Sequence, residues 1–406
     1  MSLIKSNCRQ GKNVYVSGIG RSGRGSIFWF SLVLMCLMWP ALSAERIVKN
    51  PRAPRANNAG RVVTPKEIAA IQGEGQPGYH FKYPWSFRVA TDGSLLVMNS
   101  TNSQFLLFDK DGHFLGKLSE KSKESVGSGY FLTAKNIVVL NENSSGGYKS
   151  RLRWFDGGGT YEREITLPYR NCSGCLRPLA FFDGAFYFLW NSSRSGQDDK
   201  PGFVDVPHDI FSFTEGSVDY KSLASFPTMN YSFGTECNYW GTCRGEAVSI
   251  SLFMAAPYQA RYLIISHTRD YRLKIYDPVA NAVIREFQRD YKRVKNEQRK
   301  IETTIAGERR TAPHQKYTPD IANIFTRQDE IWVVTSTRDK EQGVLIDIFD
   351  GAGVFRDSFY LKLPEPALDA LISSGLSTLD GNALYLATRN PDDTCSIRKY
   401  LIDIGD

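Results

Sequence analysis

"DGSLLVMNSTNSQFLLFDKDGHFLGKL", Asp92 to Leu118, is the stretch that decides the fold. Its two apolar runs, "LLVM" and "FLLF", are rich in strand-forming side chains and bounded by turn residues. The aromatic-Asp pair Phe108-Asp109 ends the second run. There the carboxylate can accept local backbone N–H bonds, and Gly112 supplies the positive φ of a tight turn.

The first half recurs at unequal intervals. Its copies are "AKNIVVLNE" (134–142), "DGAFYFLWNS" (183–192), "ARYLIISHT" (260–268), "QDEIWVVTS" (328–336) and "DGNALYLATR" (380–389). The second half recurs as "RLRWFDGGGTYEREITL" (151–167), "RLKIYDPVANAVIREF" (272–287) and "LIDIFDGAGVFRDSFYL" (345–361). Together they make four-stranded antiparallel units. A single unit cannot bury both its faces, whereas units packed around an axis can, so the repeats predict an all-β, six-bladed β-propeller. After Ile372 the chain supplies only three clear strands. "EIAAIQGEG" (67–75) is expected to provide the fourth and close the ring. A seven-bladed ring and two separate β domains are the alternatives.

The stretch from Glu67 to Leu118 resembles an NHL-type repeat. It has a Gly-rich lead, an aromatic-x-x-Pro entry (Phe81 to Pro84), an Asp-Gly turn (Asp92-Gly93), a polar strand end (Asn99) and an aromatic-Asp-x-x-Gly turn (Phe108 to Gly112). The match is good over the first unit, fair over the fifth and loose elsewhere, and "MNS" replaces the usual "AD". The chain as a whole is similar to exported bacterial six-bladed propellers of largely unassigned function. That resemblance implies a fold more than an activity, because propellers host many unrelated functions.

The first 44 residues read as a signal peptide. Lys5, Arg9, Lys12, Arg21 and Arg24 precede an apolar run, Ile27–Trp39, that is short for a membrane span, and Pro40 and "ALSA" follow. The alternative is an uncleaved membrane anchor. Cleavage leaves a periplasmic or secreted chain with no expected transmembrane span. Removing those five charges from the net +7 leaves +2, so overall basicity gives no argument for nucleic acid as a partner. Residues 45–63 are polar and Pro-punctuated and read as a flexible entry segment. The propeller domain is expected over 64–406, with a basic insertion at about 288–318.

With strands lettered a to d from axis to rim, the a–b and c–d turns are short. The b–c and d–a loops share the opposite face and carry the unusual residues. Cys172, Cys175, Cys237 and Cys243 lie in two such connectors, and in an exported chain they are disulfide candidates. Cys395 is left over. The CxxC lacks the helix N-terminus of a redox centre, and its connectivity is open. Asn99, Asn191, His267 and Arg389 fall near the ends of b strands. Glu236 and Asp320 lie near d–a connectors. These six are the candidate ligand-binding residues at the axial opening. Arg285 to Arg310 holds nine Lys or Arg against five Asp or Glu, and suggests contact with an anionic surface or a solvated helical excursion.

The function these features imply is an exported binding or scaffolding module for a protein, glycan or small ligand. No catalytic constellation or cofactor is legible. The alternative is a metal-dependent hydrolase or lyase on the same fold. Related six-bladed rings include calcium-dependent lactonase-like enzymes and a zinc-dependent lyase, but the motif of neither is present.

Overall fold

The computed structural model describes residues 47–405 apart from 77, 83, 91, 100–103, 119–128, 134, 144–148, 169–175, 192–200, 238–242, 298–300, 306–307, 374 and 391–393. The stretch expected to be a signal peptide and the pair Cys172 and Cys175 lie outside the described residues.

The chain is all-β and propeller-like. Sheet I runs Pro84–Val89, Leu95–Asn99, Phe105–Phe108 and Phe114–Lys117. Sheet II runs Gly129–Leu132, Ile137–Asn143, Lys149–Phe155 and Tyr161–Thr166. Sheet III comprises Leu176–Phe182, Ala185–Asn191, His208–Thr214 and Lys221–Ser225. Sheet IV comprises Met254–Tyr258, Tyr262–Ser266, Arg272–Asp277 and Ala282–Arg289. Sheet V comprises Ile321–Arg327, Glu330–Asp339, Gly343–Asp350 and Phe355–Leu361. In each, strands a to d follow in chain order and pair antiparallel. Sheet VI joins an early strand to three late ones. Ser377–Asp380, Ala383–Arg389 and Cys395–Leu401 are completed by the N-terminal strand Lys66–Gln72, antiparallel to the third.

The aromatic-Asp turns form as the repeat requires. Asp109 Oδ1 accepts the amides of Asp111 and His113 at 2.9 and 2.8 Å. Asp156 holds Gly158 and Thr160, Asp277 holds Val279 and Ala280, and Asp350 holds Ala352 and Val354 in the same way. Each carboxylate satisfies turn amides that no ladder reaches.

Strand b of each sheet is apolar on both sides, and so is strand c of sheet I. Leu95–Asn99 and Phe105–Phe108 are buried at every position. Such strands need a neighbour on each face, and the cores supply it. One core joins sheets I and II through Leu96, Phe105, Val139 and Phe155, and another joins II and III through Leu140, Trp154, Phe186 and Phe188. Leu189, Ile210 and Tyr276 lie between III and IV, and Phe287, Val333 and Phe349 between IV and V. Trp332, Phe359, Leu386 and Tyr400 lie between V and VI, and Phe87, Val97, Tyr385 and Ile397 between VI and I. The helix Glu365–Ile372 follows Pro364 and packs Ala367, Ala370 and Leu371 onto the V–VI core.

Two expectations change. Residues 45–63, read as flexible, contain Val48–Asn50, paired parallel to strand IVd, and Arg61–Val63, paired parallel to Vd. Asn50 Nδ2 donates to Gln288 O and Gly353 O, and its Oδ1 accepts the Phe355 amide. Arg61 grips the Asp357 carboxylate with both terminal nitrogens. Polar composition does not report backbone pairing, and covering open sheet edges needs no apolar run. The basic insertion also contains no helix among its described residues. Glu302–Ile305 and Glu308–Thr311 pair as an antiparallel hairpin, in keeping with the β-branched run Thr303-Thr304-Ile305. A further three-stranded sheet, Gly202–Val206, Thr228–Cys237 and Cys243–Ser249, is inserted within and after sheet III.

Gly73 sits where the N-terminal strand turns into sheet I. Its amide donates to Cys395 O and its carbonyl accepts from Phe81, both at 2.8 Å. A Cβ there would lie 2.2 Å from Phe81 O and 2.8 Å from Cys395 O. Gly73→Ala is therefore expected to cost about 1–3 kcal/mol in urea unfolding. Gly157→Ala, in open space, should cost far less. Equal stability of the two variants would contradict this packing.

Candidate functional site

Strand IVd ends at Arg289, and the chain leaves the sheet in an extended run. That run is clipped to residues 316–318: Asn296 N donates to Lys316 O and Thr318 N to Val294 O. Between this clip and sheet V lies a cleft of about 860 Å³. Arg289, Tyr291, Lys292, Arg293, Val294, Lys295 and Tyr317 form one wall. Thr337, Leu345 and Tyr360 of strands Vb, Vc and Vd form the other, and Arg52 enters from the N-terminal lead. Five of these lining residues are Lys or Arg, and none is Asp or Glu.

The base of the cleft rests on a buried charge cluster. Asp347, in strand Vc, is fully buried, and it pairs with the Arg289 guanidinium, whose side chain is 8% exposed. The Tyr271 hydroxyl donates to the other carboxylate oxygen at 2.6 Å. Burial pushes the Asp347 carboxyl up to about 6, although Arg289 and Tyr271 both pull it down. Burial likewise raises the Tyr271 hydroxyl well above its ordinary value. The guanidinium also lies over the rings of Phe355, Tyr291 and Tyr271, at 4.7, 5.4 and 5.7 Å from their centroids. Aromatic faces and one carboxylate thus replace its water. Tyr291 is fixed in turn by its hydroxyl, 2.6 Å from Thr337 Oγ1.

Arg293 is held in a similar way. Its Nε donates to Asp320 Oδ1 at 3.0 Å, it pairs with Asp270 at 2.9 Å, and it covers the Tyr317 ring at 5.1 Å. Arg52, Lys292 and Lys295 are exposed and make no ion pair among the described residues.

None of the six sequence-chosen candidates lines this cleft, and the structure does not gather them around it. Asp320 comes nearest, but it is a buried support: it holds Arg293 and accepts the Tyr271 amide at 3.0 Å, and burial raises its pKa. Asn99 is buried at the end of strand Ib, and its Nδ2 donates to His80 O at 2.7 Å. Asn191 ends strand IIIb opposite His208, and Glu236 stands opposite Arg244 in the inserted sheet. The side chains of Asn191 and Glu236 lie outside the described residues. Arg389 is exposed at the end of VIb. His267 follows strand IVb. Its Nδ1 donates to Pro227 O at 2.8 Å and its ring lies 5.5 Å from Phe226, and burial lowers its pKa, favouring the neutral ring.

Of the cysteines, Cys237 and Cys243 are backbone register partners in adjacent strands, and their side chains lie outside the described residues. Cys395 is free and buried, and burial pushes its thiol up to about 11. Among the described residues, no group of three or more His, Cys, Asp or Glu stands together as a metal site. No helix among them is long and apolar enough to cross a membrane.

The cleft residues Arg289 to Lys295 belong to the basic stretch that composition had singled out. Asp347 and Tyr271 were missed. The signal was present in "GVLIDIFD", where one carboxylate interrupts an otherwise apolar strand.

No family model and no curated protein matches the chain. Solved structures do resemble it. A putative exported protein from Bacteroides fragilis NCTC 9343 is 11% identical, with 89% of this chain and 100% of that chain covered and a TM-score of 0.45. A DUF4221 family member from Bacteroides vulgatus ATCC 8482 is 11% identical, with 84% and 98% covered and a TM-score of 0.49. The β-propeller domain of Myceliophteria thermophila Cps50 (Swd1) is 12% identical, with 84% and 100% covered and a TM-score of 0.40.

Asp347→Asn replaces the titrating carboxyl with a neutral group of the same shape, so its effect is read in the pH dependence of stability. The pH dependence has a definite sign. The folded-state value of Asp347, about 6, lies above its ordinary 3.8. Its contribution to stability is therefore full below the lower value and declines as pH rises to the higher. Urea titrations across that window should show this decline in the wild type and a shallower one in the variant. Parallel pH profiles would rule out Asp347 as the titrating group.

Proposed function

We propose that this chain is an exported six-bladed β-propeller that works as a binding module and takes an anionic ligand in the cleft between sheets IV and V. The ring is supported by the succession of shared cores, including the one between sheets VI and I, and by the N-terminal strand that completes sheet VI. Export is supported by the basic lead, the apolar run and the small residues before position 45.

The observation that carries the binding role is the lining itself: five cations and three tyrosines, with no carboxylate exposed among them. Arg289 and Arg293 are locked by buried acids and by rings, so they shape the base. Arg52, Lys292 and Lys295 are free to meet a ligand. A rigid, one-signed cleft concentrates anions and orients them on approach. The proposed site differs from an axial opening because the long d–a connector after sheet IV brings its charge to the outer strands.

Retention of the mature chain on a sulfated polyanion resin tests this reading. The wild type should elute at higher salt than Lys292→Glu/Lys295→Glu, with unchanged unfolding midpoints because both side chains are exposed. Identical elution would remove the cleft from the account.

A further inference from the structure

Resting on the anionic-ligand reading of the same cleft, a narrower inference follows from how its charge is spread. Arg289 is neutralised by Asp347, and Arg293 by Asp270 and Asp320. Among the described residues, the lining cations without an ion pair are Arg52, Lys292 and Lys295. Lys292 and Lys295 lie three residues apart on an extended run, which separates their backbones by up to about 10 Å. Arg52 comes from another part of the chain altogether. No helix contributes to the lining, so the cleft has no N-terminal fan of amides to concentrate on a phosphate group. The rings of Tyr291 and Tyr317 line the same cleft, under the Arg289 and Arg293 guanidiniums. The first is held by its bond to Thr337 and the second by Arg293, so both meet a ligand with little loss of rotamer freedom.

We propose that the ligand is an acidic oligosaccharide carrying carboxylates on its sugar rings, as in a uronate-containing glycan. Spaced carboxylates match cations that enter the cleft from separate points of the chain, and the C–H groups of pyranose rings suit the tyrosine rings that line it with them. Single-stranded nucleic acid would also suit a row of cations and aromatic rings. The signal peptide favours the glycan, because it directs the chain away from nucleic acid and toward cell-surface and environmental polysaccharides.

The test is calorimetric titration of the mature chain with hexagalacturonate, its methyl ester, inorganic tripolyphosphate and hexathymidylate. Hexagalacturonate should bind at one site. The ester should bind about tenfold or more weakly, and Lys292→Ala/Lys295→Ala should weaken the acid form by a similar factor. Tyr317→Leu should weaken acid and ester alike. Suppose the acid and its ester bind equally or not at all, while tripolyphosphate or hexathymidylate binds and depends on the two lysines. The glycan class is then wrong and the anionic cleft survives. If no anion binds, or the lysine variant matches the wild type with every probe, the anionic-ligand reading falls with it.

Discussion

Strand b of each sheet is apolar on both faces, and the rest of the structure follows from that constraint. Leu95–Asn99, Phe105–Phe108 and most of Gly343–Asp350 expose no side to water. A lone antiparallel sheet usually tolerates one wet face; these do not. Each sheet must therefore lie between two others, and the shared cores satisfy that demand in succession. The first and last sheets meet through Phe87, Val97, Tyr385 and Ile397. The strand Lys66–Gln72 is part of the same solution, because its pairing with Cys395–Leu401 completes sheet VI. The outer strands IVd and Vd would still offer open edges, and the polar lead covers both with short parallel pairings.

The same stacking creates the cleft. Sheets IV and V meet at a seam whose inner part is apolar, with Phe287, Val333 and Phe349. Further along, Arg289 and Asp347 replace the apolar pair. Burying such a pair adds little net stability, and removing either partner costs much more than the pair contributes. Its use here is geometric. It fixes a guanidinium under Tyr291, and Tyr291 in turn is fixed against Thr337. The connector that leaves strand IVd then carries two free lysines over a base that cannot shift.

Much of the fold was legible because strand runs and aromatic-Asp turns are local signals. Asp109, Asp156, Asp277 and Asp350 all do what their spacing implied. The lead was misread because pairing to an edge uses backbone groups that composition does not report. The insertion was misread because mixed charge suggests a helix, whereas Thr303, Thr304 and Ile305 favour a strand. Site residues were harder. Asn99 and Asp320 are polar residues of the expected type, but they serve as buried supports. The cleft joins residues about 240 positions apart, from Arg52 to Arg293, and no local pattern encodes such a meeting. Asp347 alone left a readable trace, as a charge inside an apolar strand.

Native-state hydrogen exchange tests the central claim, that the strand Lys66–Gln72 is an integral part of sheet VI and unfolds with the other sheets as one cooperative unit. The account predicts that the amides of Lys66–Gln72 open with the same free energy as those of Cys395–Leu401 and Leu95–Asn99, near the global value. Rapid exchange of Lys66–Gln72, with the other two strands still protected, would contradict it.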